Sequence, residues 1–242
     1  MSEEFVFPDI DEIGIDTLDA ISFAPNFNEY MYKTILPFCK GNILEIGSGI
    51  GNISHHFINA GSQITLTDIR SNYIDQLKEK YANKAEGILE MDLIHENFDT
   101  EYADHLNNYD TIFAMNVVEH IKDDNQAIIN AKKMLKHNGH LIILVPAFQV
   151  LYNSFDLALE HYRRYTRKSL NTLMSSHLNL IHTQYFNAFG MLGWYVSGRL
   201  LKKKSIPVNQ MKLYDKLILI SKIVDKCVFN KIGLSVITVG KK

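Results

Sequence analysis

The sequence has few of the residues that build disulfide-bonded, fibrous or disordered proteins. Its 242 residues include only 2 cysteines, 5 prolines and 13 glycines, which excludes a disulfide framework, a collagen-like repeat and a Pro-rich disordered chain. Cys39 and Cys227 lie far apart in the sequence and have no further cysteines beside them. We therefore expect both to be buried free thiols in a reducing compartment.

An excess of one charge and long apolar runs are also missing. The 25 basic and 27 acidic residues leave a formal net charge of −2, so no overall positive field attracts nucleic acid. No window contains the roughly 18 to 20 apolar residues that cross a bilayer. Residues 1–16 are acidic and lack the basic and apolar regions of a secretory signal. These absences predict a cytoplasmic protein that binds no nucleic acid.

The sequence does contain a regular alternation of short apolar runs and segments with helical spacing. The strand-like runs occur at residues 43–46, 64–67, 87–90, 110–115 and 140–145. Strands that alternate with helices in this way predict a parallel sheet covered by helices on both faces.

The two ends of the chain depart from this alternation. Residues 1–25 contain acidic residues and two prolines, and predict an extended N-terminal arm. The remaining residues, 26–242, predict one α/β domain. Within it, residues 178–186 and 233–239 predict two more strands, and residues 187–230 predict a helical insertion or lid between them.

Glycines and a carboxylate follow the first two predicted strands. Gly47, Gly49 and Gly51 come directly after the first strand, and Asp68 ends the second, 17 residues beyond Gly51. Glycines let a ligand approach the backbone, the following helix offers free N–H groups, and a carboxylate binds a ribose diol. Together they predict a nucleoside site, although Asp68 taken alone also fits a surface turn.

Other nucleotide-binding motifs are incomplete in this chain. A dinucleotide fingerprint requires a third glycine at position 52, where Asn52 stands. No tyrosine is followed four residues later by lysine, and no Gly-Lys-Ser/Thr follows the glycine loop. These absences disfavour a dehydrogenase and a P-loop ATPase.

The sequence resembles the class I S-adenosylmethionine-dependent methyltransferases. Residues 44–51 (LEIGSGIG) are similar to the first motif of that superfamily, and Asp68, residues 91–93 and residues 116–121 match its later motifs in order and spacing. The resemblance covers most of residues 26–242. It implies a Rossmann-like, doubly wound, seven-stranded sheet that is mostly parallel, has an antiparallel last strand, and binds S-adenosyl-L-methionine.

The resemblance also implies which residues contact the cofactor. The glycine loop would form the floor beneath the methionyl part, through Glu45, Gly47, Ser48, Gly49 and Gly51. The residues that would bind the adenosine are Asp68, Ile69, Met91, Asp92 and Leu93. Asn116 and Val117 would line the sulfonium end, and Tyr30 of a preceding helix would close over the carboxylate.

Two histidines are candidate catalytic residues. Methyl transfer requires an acceptor atom held in line, and it requires a base only where the acceptor loses a proton. His120 follows the fourth strand, beside the expected methyl group, and His161 lies in the loop after the fifth strand. For His120 the structural alternative is that it orders its own loop.

The stretch that begins at His161 reads His-Tyr-Arg-Arg-Tyr. It resembles a His-x-Arg-Arg-Tyr stretch in a subgroup of bacterial methyltransferases of small-molecule and glycan pathways. Arg163, Arg164 and Tyr165 are therefore candidate substrate-binding residues, with an arginine as a clamp for an anionic acceptor. The alternative is an arginine that pairs with Asp156 or Glu160 and holds the loop.

Residues 186–196 form an apolar, aromatic segment that contains the only tryptophan, and basic residues follow at 199 and 202–204. Such a segment is typical of a lid, and it also suits peripheral contact with an anionic membrane or a lipid-linked acceptor. The motif that DNA base methyltransferases carry after the fourth strand, Pro-Pro-aromatic, is absent. No clustered metal-ligand set is visible in the sequence, so no metal is expected.

These features predict a methyltransferase that acts on a small-molecule or glycan-type acceptor, at oxygen. Two alternatives remain open at this stage. One is another nucleoside-dependent enzyme on the same sheet, and the other is a module that binds S-adenosylmethionine without catalysis.

Overall fold

A computed structural model describes residues 12–242 of the chain. In that part seven strands form a single sheet, and the strands are β1 Ile43–Ile46, β2 Ile64–Asp68, β3 Gly87–Glu90, β4 Tyr109–Met115, β5 Leu135–Pro146, β6 Asn179–Phe186 and β7 Ser235–Lys241. The α-helices are α1 Glu12–Ser22, α2 Pro25–Ile35, α3 Ser54–Asn59, α4 Ser71–Tyr81, α5 Phe98–Glu101, α6 Asp124–Met134, α7 Ser154–Ala158, α8 Arg167–Ser175, α9 Gly190–Trp194, α10 Val208–Lys216 and α11 Ile218–Cys227. A π-helical turn, Tyr195–Leu200, continues α9.

The strand order is β3-β2-β1-β4-β5-β7-β6. The first five strands pair in parallel, whereas β7 pairs antiparallel with both β5 and β6. The fold prediction, including the antiparallel last strand, is therefore confirmed. The chain builds outward from β1 in both directions, so the strand order reverses between β1 and β4. Ligands bind at such a reversal, beside the carboxyl ends of the strands.

Helices cover both faces of this sheet because its central strands are apolar on both sides. All four residues of β1 are buried, and successive residues of β5 alternate between two hydrophobic clusters. Ile143 belongs to one cluster, while its neighbours Ile142 and Leu144 belong to the other, and each is at most 1% exposed. Strands buried on both faces form a rigid support for the loops at their ends.

The prediction of an extended arm over residues 1–25 is wrong for residues 12–22, which form α1; residues 1–11 lie outside the described part. The buried side of α1 consists of the small residues Gly14, Thr17 and Ala20. Such a face gives a weak hydrophobic period, which explains why the sequence pattern did not reveal the helix. The helix matters for the site because Leu18 packs beside the glycine loop.

Both cysteines are free. Cys39 is partly buried but Cys227 is exposed, so the expectation of two buried thiols is wrong for Cys227. The end of α11 places Cys227 on the outer side of the helical segment. Within residues 12–242, none of the helices is both long enough and apolar enough to pass through a bilayer.

Candidate functional site

A cavity of about 750 Å³ lies at the carboxyl ends of β1, β2 and β4, where the strand order reverses. Its floor is the edge of the sheet. Its walls come from α1, from Phe27 and Met31 of α2, and from α9 and α10. Helices that precede β1 and helices that follow β6 in the sequence therefore both contribute to the walls of the cavity. Its volume is that of a typical small-molecule site.

The glycine loop after β1 forms part of this floor. Gly47 and Gly49 have φ angles of +70° and +53°, which favour glycine. A Cβ atom at Gly47 would collide with Cγ2 of Val117, and one at Gly49 would lie 2.8 Å from Cδ1 of Leu18. Only glycine fits at these two positions, and both line the cavity.

Asp68 ends β2 beside this loop and is only 6% exposed. One carboxylate oxygen accepts a hydrogen bond from the Gly49 N–H at 2.9 Å, and the other accepts from the Arg70 N–H at 3.1 Å. Burial raises the pKa of this carboxyl group, although the two N–H groups and the nearby Arg70 oppose that effect. Asp68 thus holds the turn and also lines the cavity, so the two interpretations of this residue are compatible.

Six further predicted cofactor residues line the same cavity. They are Ile69, Met91, Asp92, Leu93, Asn116 and Val117. Asp92 caps its own turn by accepting from the Ile94 N–H at 2.9 Å. Asn116 adopts a φ of +55°, a left-handed conformation that asparagine tolerates better than most residues. The ends of β1 to β4 therefore converge on one site, as the sequence predicted.

Four predicted cofactor residues lie elsewhere among the residues that the structure describes. Glu45 is buried behind the loop and is hydrogen-bonded to Ser54 Oγ; burial raises its pKa to about 8. The Ser48 hydroxyl accepts from the Thr67 N–H at 3.2 Å. These two residues, together with Gly51, which packs against Tyr81, support the loop from below.

Tyr30 is the fourth of these residues. Its hydroxyl donates to Asp225 Oδ2 at 2.8 Å, and its ring packs against Phe186 with centroids 4.7 Å apart. Phe27, one turn before it, and Met31, the next residue, line the cavity instead. Helix α2 therefore borders the cavity through Phe27 and Met31 and not through Tyr30.

Of the three predicted substrate residues, one lines the cavity and two do not. Arg163 pairs with Asp124 at 2.7 Å, and Tyr165 donates to the same carboxylate at 2.8 Å, so neither lines the cavity. Arg164 does line it, but its Nε lies 2.7 Å from Asp156 Oδ1 and its guanidinium stacks over Trp194. This pairing is the structural alternative considered for the loop, here made by Arg164 and Asp156.

The two histidines meet in the lining of the cavity. Their rings are nearly perpendicular, with centroids 4.6 Å apart. His161 Nδ1 lies 2.9 Å from Asp156 Oδ1. Burial and the neighbouring His161 lower the pKa of His120 to about 3, so His120 is neutral at pH 7. Both residues line the cavity.

Asp156 organises this end of the cavity. Burial alone would raise its pKa, but the hydrogen bond from His161 and the charge and hydrogen bond of Arg164 outweigh burial and hold the pKa below its ordinary value. Its other oxygen accepts from the Asn153 N–H at 2.9 Å. An ionised carboxylate accepts only, so Nδ1 of His161 carries the proton that it donates to Asp156.

Glu119 lies beside the two histidines and was not singled out in the sequence. One ligand atom each from Glu119, His120 and His161 all lie within 4.8 Å of one another, which is close enough to hold a metal ion. Sequence spacing does not reveal this cluster, because about forty residues separate His161 from Glu119 and His120.

Comparison with known proteins finds a match for the central part of the chain. A family model described as a methyltransferase domain matches residues 44–141, which is less than half of the chain. The match contains the glycine loop, Asp68, Asp92 and both Glu119 and His120, whereas His161 and the helical segment that closes the cavity lie outside it.

The curated relatives that match part of this chain are much longer proteins. The hybrid PKS-NRPS synthetase iccA of Talaromyces variabilis is 31% identical over 111 residues, which cover 44% of this chain and 3% of that protein. The polyketide synthase component of the lovastatin nonaketide synthase of Aspergillus terreus is 27% identical over 133 residues, or 52% of this chain and 4% of that protein. The chain thus spans a small fraction of these relatives.

Solved structures share the whole fold. A SAM-dependent methyltransferase from Archaeoglobus fulgidus superposes with a TM-score of 0.58 at 18% identity, covering 89% of this chain and 94% of that one. Phosphoethanolamine N-methyltransferase 2 of Haemonchus contortus, in complex with S-adenosyl-L-methionine, gives 0.58 at 17% identity over 90% of this chain and 52% of that one. These comparisons confirm the predicted fold.

Proposed function

We propose that this protein transfers a methyl group from S-adenosyl-L-methionine to a small-molecule acceptor. The observation that carries the proposal is one continuous cavity. Gly47, Gly49 and Asp68 line it, and so do His120 and His161. A methyltransferase requires this combination, because cofactor and acceptor must meet in line in a site that excludes water.

The cofactor end has the donor and shape properties that S-adenosylmethionine requires. The side-chain-free surface of Gly47 and Gly49 lets its methionyl part approach the backbone, and Asp68 offers carboxylate oxygens to the ribose hydroxyls. Ile69, Met91 and Leu93 supply apolar surface for the adenine. When bound, the cofactor supplies a methyl group on a positively charged sulfur. Asn116 and Val117 lie between this end and the histidines.

The acceptor end supplies an apolar wall and two imidazoles. Phe155 and Trp194 line it, with ring centroids 4.8 Å apart, and Met211 lines it from α10. This lining favours a compact acceptor with an apolar body over an extended glycan. The synthetase names of the curated relatives also support a small-molecule acceptor. We assign the orientation and activation of an acceptor oxygen to His120 and His161, with Arg164 beside them.

The helical segment 187–230 is proposed to act as a lid. Residues of its inner side, including Trp194, Met211 and Tyr214, line the cavity, while Leu192, Leu200 and Leu219 are more than 60% exposed on its outer side. The apolar outer side and the nearby Lys202–Lys204 favour peripheral contact with anionic lipid as a second role of the segment. Sedimentation with anionic and neutral vesicles tests that role, since binding only to the anionic ones supports it. The unpaired cysteines suit the reducing cytoplasm, which we propose as the compartment.

Mass spectrometry with methyl-labelled S-adenosylmethionine tests the proposed reaction. The full chain is incubated with a panel of hydroxylated and amine-bearing small molecules and with glycans. Labelled product from a hydroxylated compound is the expected result. Tight cofactor binding without methyl transfer to any class would instead indicate a non-catalytic binding module, and turnover of a nicotinamide cofactor would indicate another nucleoside-dependent enzyme.

A further inference from the structure

Glu119 is a buried carboxyl group without a polar partner. It is 0% exposed, and neither of its carboxylate oxygens meets a hydrogen-bond donor of another residue among those the structure describes. Burying such a group costs several kcal/mol unless it is hydrogen-bonded, paired or bound to a metal. A buried carboxylate beside two imidazoles in a ligand-binding cavity therefore requires an explanation beyond packing.

One of the neighbouring histidines is held as metal-binding histidines are held. His161 donates from Nδ1 to the buried carboxylate of Asp156. Its ring is thus held through Nδ1, which leaves Nε2 for an ion, and the ring of His120 packs edge-on against it. Ligating histidines almost always donate their second N–H to a carboxylate or a backbone carbonyl in this way.

We propose that Glu119, His120 and His161 bind a divalent transition-metal ion. Their ligand atoms lie within 4.8 Å of one another, whereas atoms about 2.0–2.2 Å from a shared ion lie roughly 3–4 Å apart. Small side-chain rotations close that difference. Two imidazoles and one carboxylate suit zinc, iron, cobalt or manganese better than magnesium or calcium, which prefer oxygen ligands.

The neighbouring buried carboxylate of Asp156 already has a partner, because it is paired with Arg164 at 2.7 Å. The carboxyl group of Glu119 has no such hydrogen-bond partner among the described residues, so its oxygens are available to an ion.

Because His120 and His161 also line the cavity, the remaining coordination positions of the ion face the acceptor end. This part of the inference rests on the proposed function: the ion would hold the acceptor oxygen in line with the methyl group. Three protein ligands with open positions are the arrangement of catalytic rather than structural metal sites. The ion would thereby give the two histidines their role in orienting the acceptor.

Titration with Co²⁺ tests the site without cofactor or acceptor, so its result is independent of methyl transfer. The full chain is first treated with a chelator, and Co²⁺ binding is followed by its visible absorption and by calorimetry. We expect one ion per chain. Glu119→Gln and His161→Gln should weaken binding at least 100-fold, and Asp156→Asn, which removes the support of His161, about 10-fold.

His55→Gln is the matched control for adventitious Co²⁺ binding, because His55 and His56 form a second histidine pair, with ring centroids 3.9 Å apart. This variant should leave the tight site unchanged. Thermal unfolding shows which variants fold, and Glu119→Gln preserves the shape of the side chain. The proposal is overturned if folded Glu119→Gln binds Co²⁺ as tightly as the original chain, or if that chain binds none. In that case the histidines act on the acceptor without an ion.

Discussion

Replacing Asp68 by asparagine separates cofactor binding from folding. Asp68 accepts from the Gly49 and Arg70 N–H groups and also faces the cavity. Asparagine keeps the shape and one acceptor oxygen, but it loses the charge and the second acceptor. Asp68→Ala would instead leave both N–H groups without their acceptor, at about 1–3 kcal/mol for each buried group. Asparagine is therefore the sharper perturbation.

The magnitude follows from the hydrogen bonds that the carboxylate offers to a ribose diol. A charged hydrogen bond contributes about 1.5–3 kcal/mol, so its loss weakens cofactor binding by roughly 10- to 150-fold. The effect on folding has the opposite sign. Burial raises the pKa of Asp68, so this group contributes stability below its ordinary pKa that is lost as the pH rises through the raised value. At pH 7 asparagine removes that cost, and the weaker hydrogen bonding offsets it to within about 1 kcal/mol.

Isothermal titration calorimetry with S-adenosylmethionine, together with thermal unfolding of the ligand-free protein, measures both effects. Asp75→Asn, an exposed position on α4, is the matched control and should change neither quantity. Unchanged cofactor affinity in Asp68→Asn would refute the assignment of this carboxylate. A large loss of stability without ligand would show that its role is to hold the turn.

Three further predictions follow from the same geometry. Gly47→Ala should destabilise the protein and weaken cofactor binding more than Gly61→Ala. Both positions have a positive φ, which costs about 1–2 kcal/mol, but only a Cβ at Gly47 collides with Val117. Equal melting temperatures of the two variants would contradict this prediction. Burial raises the pKa of Glu45 to about 8, so between pH 6.5 and 8 this group takes up a proton when the chain folds. The free energy of unfolding should therefore fall in this range by up to about 1.4 kcal/mol per pH unit from this group. Chemical denaturation of Glu45→Gln should show a weaker dependence on pH. Trp194→Ala should raise KM for the acceptor several-fold and leave cofactor affinity unchanged, as steady-state kinetics and calorimetry would show.

The sequence was most informative where physical constraints are local. Apolar runs such as 43–46 need no distant partner to be recognised, and parallel strands bring their carboxyl ends together whatever the loops contain. Gly47, Gly49 and Asp68 could therefore be assigned to one site before the fold was known. Their positive φ angles and close contacts explain why glycine is required there.

The rest depended on contacts between distant segments. The direction of the Tyr30 side chain is set by Asp225, which lies 195 residues away, and that of Arg163 by Asp124. Glu119 became a candidate ligand only when the loop after β5 brought His161 against it. Helix α1 escaped detection because the residues it buries are small. Periodicity and spacing carry none of this information.

A crystal structure of the full chain with S-adenosylhomocysteine is the most direct test of the cofactor site. We expect one molecule in the cavity, with its ribose hydroxyls on Asp68, its amino-acid part over Gly47 and Gly49, and its sulfur directed toward His120 and His161. Density for the ligand elsewhere, or a cavity filled by side chains at saturating ligand, would contradict it.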